Sequence, residues 1–60
     1  MTYHVEVEEM EREPKPGSRP LVVTLQTRMF ESAQPAVDFA RESIRDYAGA
    51  ELPRAFVRSH

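Results

Sequence analysis

Cysteine is absent from this 60-residue chain. That removes disulfides, thiolate catalysis and cysteine-ligated zinc or iron–sulfur sites together. No apolar run approaches the roughly 18 residues that a transmembrane helix requires. Nor is there the basic-then-apolar N-terminus of a secretory signal, so a cytoplasmic protein without a membrane partner is expected. The two imidazoles, His4 and His60, form neither a His-x-x-x-His nor a Glu-x-x-His pattern, and spaced Asp/Asn residues around a central Gly, as in a calcium loop, are missing as well. No metal and no cofactor are therefore expected. No nucleophile–base motif is present, and 60 residues leave little room for a pocket of ~300 Å³, so no catalytic residues are assigned and the chain is not expected to be an enzyme. A basic excess is lacking too: the formal net charge is −2 and the pI about 5.6, whereas small nucleic-acid binders usually show a one-sided basic stripe.

What is present is ordinary for a globular chain. Apolar residues make up 40% and charged residues 30% of the sequence, and the apolar residues are periodic, which argues for one small folded domain over 1–60. Tyr3, Val5 and Val7 alternate with His4, Glu6 and Glu8, the period-two signature of a half-buried strand that extends toward Met10. Residues 11–20, with three Pro and one Gly, read as a flexible loop, since Pro gives no ladder donor and Gly admits positive φ. The run from Leu21 to Phe30 is a second strand, with Leu21, Val23, Leu25, Thr27 and Met29 on one face and Val22, Thr24, Gln26, Arg28 and Phe30 on the other. Antiparallel pairing that puts the odd positions of both strands on one face would join the two apolar stripes.

A helix follows, from about Ser32 or Pro35 to Ala48. Ser32 suits the N-cap, Pro35 is tolerated only in the first turn, and Gly49 reads as a left-handed C-terminal residue. At 100° per residue the apolar positions fill an arc about 180° wide, with Ile44 near its centre and Phe39 at its margin. The tail 51–60 carries Leu52, Phe56 and Val57 but also Pro53, and suits an edge strand, a helical turn or an ordered tail on a partner. The fold expected is α+β: an antiparallel hairpin of two strands, or three with the tail, covered by one C-terminal amphipathic helix, with the order ββα(β).

Binding without catalysis is the function such a chain supports. A hairpin with one helix is marginal alone and leaves strand edges free. A homodimer, or docking on a larger host protein, is the expected remedy. Phe39, Phe30, Val22, Tyr47 and Phe56 are the candidate partner-binding residues, because one small core does not account for them. A small regulatory or interaction protein is thus the first reading. The alternative is a nucleic-acid-associated module using Lys15 and Arg19 in the loop and Arg54 and Arg58 in the tail. Residues 6–13 hold five Glu against one Arg, a local charge of −4, which reads as a solvated strand face that discourages aggregation. Seven Arg to one Lys, with abundant Ala, resembles the coding bias of a high-GC bacterium or its phage.

Overall fold

A computed structural model describes residues 1–59; His60 lies outside the described residues. Strand β1 spans Tyr3–Met10 and strand β2 Val22–Phe30, helix α1 spans Ala33–Arg45 and strand β3 Leu52–Ser59. The sheet order is β2-β1-β3, antiparallel throughout. The tail therefore takes the third-strand option, and the helix is not C-terminal: α1 carries the chain across one face of β1, from β2 to β3. The two outer strands run in the same direction, and a connection between such strands needs a crossover element, here the helix. The fold is α+β.

The register decides what the helix covers. Directly opposed residues share a face. Tyr3, Val5 and Val7 stand opposite Phe30, Arg28 and Gln26 on β2, and Val5 and Val7 stand opposite Val57 and Ala55 on β3. On β2 it is thus the even positions, from Gln26 to Phe30, that share the helix face, which reverses the odd-with-odd pairing expected from the sequence. Helix placement explains the reversal: Phe30 precedes α1 by only three positions, and its ring stacks on Phe39 at 5.5 Å between centroids. Met29 and Thr27 are thereby turned to the helix-free face beside His4 and Glu6. Leu25 has no partner in the register, and the pairing resumes at Thr24 with Glu8 and Val23 with Glu9. This bulge returns Val23 and Leu21 to the helix side, beyond the end that the helix covers.

The core is small. Val5, Val7, Ala36 and Ala40 are buried, with Tyr3, Phe30, Phe39 and Ala55 packed around them. Two alanines let the helix approach the sheet closely, over β1 and β3 more than over β2. Ala36 and Ala40 mark the centre of the contact stripe, and Ile44 falls on its shoulder, 42% exposed. Ile44 is therefore not the anchor that the width of the arc suggested. Val23 and Leu25, expected under the helix, are likewise exposed. The Cα envelope is a slab of 41 × 23 × 12 Å. Its accessible surface is 4588 Å², against about 4,000 Å² for a compact chain of this mass.

Both ends of the helix have local causes. Ser32 occupies the N-cap position in extended conformation (φ −135°, ψ 157°) without a side-chain hydrogen bond to the helix, and Pro35 sits in the first turn, where a missing N–H costs nothing. The helix stops at Arg45, earlier than Ala48, as the N–H of Asp46 donates to the Glu42 carbonyl and that of Tyr47 to Ile44. Gly49 does not have positive φ; among the described residues Gly17 alone does, at 80°. Gly49 instead leaves room for a side chain: a Cβ there would displace the Tyr47 phenol. In the β1–β2 loop the Ser18 N–H donates to the Lys15 carbonyl at 3.0 Å, with Pro16 and positive-φ Gly17 between them, the pattern of a type II turn.

Candidate interaction surface

Three surfaces offer themselves for binding. The first is strand β2. It is an edge strand, and every residue but Phe30 is exposed, including Val22, Val23, Leu25 and Met29. Leu21, just before it, is 70% exposed. Its one charge, Arg28, lies over the rings of Phe30 and Phe39, with its guanidinium carbon 5.1 and 5.2 Å from their centroids. An unpaired strand edge carries unpaired N–H and C=O groups and templates further pairing. Exposed apolar side chains on both faces of that edge add area to be buried.

The second is the helix-free face of the sheet. By register it carries His4, Glu6 and Glu8 on β1 and Arg54, Phe56 and Arg58 on β3. Phe56 lies between two cations, with the Arg54 and Arg58 guanidinium carbons 4.5 and 5.9 Å from its centroid. Arg54 also donates to the Met10 sulfur at 3.7 Å, and its Nε stands 3.9 Å from Glu8 Oε2. Glu8 is buried, an unusual state for a carboxylate, and Arg54 is the cation beside it. On β1 and β3 this face is mostly charged, and the ring of Phe56 already serves two guanidinium groups.

The third is a shallow niche of about 150 Å³ past the helix end, lined by Glu9, Glu11, Glu51, Leu21 and Val23. Its wall is braced from the helix side. The Tyr47 hydroxyl donates to Glu9 Oε2, and Glu51 accepts the Arg12 backbone N–H at 2.8 Å. The bond to Glu9, then lost solvation and the nearby carboxylate charge, hold the Tyr47 phenol above its ordinary value. Among the described residues no group of three or more His, Cys, Asp or Glu is arranged to hold a metal ion. Nor is any helix among the described residues long and apolar enough to cross a membrane.

The structure separates the candidate residues read from the sequence. Phe30 and Phe39 pack together at the edge of the core, so Phe30 is not outward. Tyr47 ties the chain after the helix to β1. Val22 lies on the helix-free face of the exposed edge, opposite Met10, and Phe56 on the same face of the other edge. The basic set is divided too. Lys15 and Arg19 line a depression in the loop with Glu11, Arg54 stands opposite Glu8, and Arg58 stands opposite His4 at the other end of the sheet. They form no single stripe. The alternation of Val23 and Leu25 matched a core stripe, yet both are exposed: Val23 lies on the helix side beyond the helix, Leu25 sits at the bulge, and the register turns Met29 to the helix-free face. No protein-family model, no curated protein and no solved structure matches the chain.

Proposed function

We propose that the chain is a non-catalytic protein-interaction module, regulatory in kind, that acts by binding a partner protein, in the first instance a second copy of itself. One observation carries this reading: β2 is an apolar strand at the sheet edge, exposed at every position but Phe30, in a domain whose buried core among the described residues is Val5, Val7, Ala36 and Ala40. Burying such an edge adds hydrophobic area and ladder hydrogen bonds where the isolated chain has few. Sedimentation and light scattering at micromolar concentration test it. The expected result is a particle of twice 6.9 kDa whose melting temperature rises with protein concentration. A particle of 6.9 kDa at every concentration, with a melt unchanged by dilution, overturns the homodimer and leaves a larger host protein as the partner.

A further inference from the structure

Resting on the homodimer reading, we infer that two copies join edge to edge through β2 in one particular antiparallel register, with Val22 opposite Met29, Val23 opposite Arg28 and Thr24 opposite Thr27 of the second copy. The bulge selects it. Opposed residues in an antiparallel pair must share a face. In β2 the residues before Leu25 and those after Gln26 are out of phase: Val23 shares a face with Glu9, and Arg28 and Phe30 share that same face with Val5 and Tyr3. Val22, Thr24, Thr27 and Met29 occupy the opposite face, beside Met10, Glu8, Glu6 and His4. Read outward from the Leu25–Gln26 step in either direction, the faces therefore follow the same order. A copy turned by a twofold axis through that step meets like face with like face along the whole strand. Sliding the copy by a single residue opposes helix-face to helix-free residues at every position that pairs across the bulge.

The side chains agree with this register. The helix-free face gains Val22 against Met29 twice and Thr24 against Thr27 twice, all exposed in the single chain, and aliphatic and Thr–Thr pairs are favourable cross-strand neighbours. On the helix face, Arg28 of each copy stands beside Val23 of the other. Val23 is the residue opposite Glu9 and lines the niche with Glu11 and Glu51. The only charge on β2 is thus brought to the carboxylate-lined niche of the second copy, once on each side of the axis. Strand β2 has no acidic residue that would meet its own copy. The opposite charges lie across the proposed interface and not along one chain.

Cysteine pairing reads the register directly, because the chain has no cysteine of its own. Thr24→Cys and Thr27→Cys are made as two separate single variants of the full chain, each checked by circular dichroism and sedimentation. Under mild oxidation an equimolar mixture is expected to give a covalent dimer of one chain of each kind, while either variant alone gives at least tenfold less. A sedimenting dimer in which the mixture cross-links no better than the single variants overturns the β2 register and leaves the homodimer reading standing. A chain that sediments as a monomer overturns both. The Glu11→Arg and Arg28→Glu variants supply an independent measure: each alone weakens dimerisation at low salt, and their mixture restores it. A mixture no stronger than the single variants overturns the charge pairing.

Discussion

The two edges of the sheet flank the same central strand, yet they are built differently. Strand β3 carries Pro53, which gives no ladder donor, and two arginines on either side of Phe56. Helix α1 lies partly over its other face, where Ala55 packs against the core, and its first five residues are half-buried. Strand β2 has no Pro, no acidic residue and almost no cover from the helix. Proline and inward-held charge are means by which proteins blunt a strand edge. Here one edge carries such features and the other carries none of them.

The contrast breaks most severely at buried positions. Val5→Ala, at a site with 0% exposure, is expected to destabilise by about 2–3 kcal/mol. Val23→Ala, at 53% exposure, is expected to cost less than about 0.5 kcal/mol. Urea melts at dilutions where the chain is monomeric measure both. Equal losses would mean that β2 is covered in the single chain and that no open edge exists. Next in size is the helix contact. Ala40→Leu overpacks the close approach and should cost about 2 kcal/mol, whereas Ile44→Ala on the exposed shoulder should cost under about 1 kcal/mol. A reversed order in thermal melts would place Ile44, and not the alanines, at the centre of the contact.

Removing the guard on β3 sharpens the comparison further. Arg54→Ala takes one cation from Phe56 and the neighbouring charge from buried Glu8. A loss of about 1 kcal/mol is expected, together with faster aggregation as a second edge becomes available. Unchanged aggregation by light scattering would show that Pro53 alone suffices. The smallest effect concerns pH. The folded state holds the Tyr47 phenol protonated more firmly than the unfolded chain does. The resulting stabilisation is complete below the ordinary value of about 10 and is lost as pH rises through the raised value. Between those two values wild type should lose stability more steeply than Tyr47→Phe. Gly49→Ala, which pushes the phenol from its place, should bring the tyrosine absorbance titration back toward the ordinary value. Parallel melts of wild type and Tyr47→Phe across alkaline pH would refute the bond to Glu9.

Much of the local structure was legible because it depends on near neighbours. The alternation of Tyr3, Val5 and Val7, the breakers between Glu11 and Pro20, and Ser32 with Pro35 at the helix start all act over a few residues. The tail was ambiguous for the opposite reason: Leu52–Ser59 becomes a strand only because β1 offers it a free edge 42 to 56 residues away in sequence. The surface was the least legible part. Exposed Val23, Leu25 and Met29 have the composition of a core stripe, and nothing within β2 tells a strand with one buried face from an edge with none.

By itself the sequence determined the periods and the breaks, and with them the strand–strand–helix order and the α+β class, since these follow from side-chain alternation and backbone restrictions along the chain. Tertiary structure alone decided which face of β2 meets the helix. Pairing Tyr3 with Phe30, and Phe30 with Phe39, set the register from one end, and the unpaired Leu25 shifted it partway along. A strand's side-chain period is two, so a one-residue change of register exchanges its faces. The alternation fixes which residues lie together, while only contacts distant in sequence choose which set is buried and which is left for a partner.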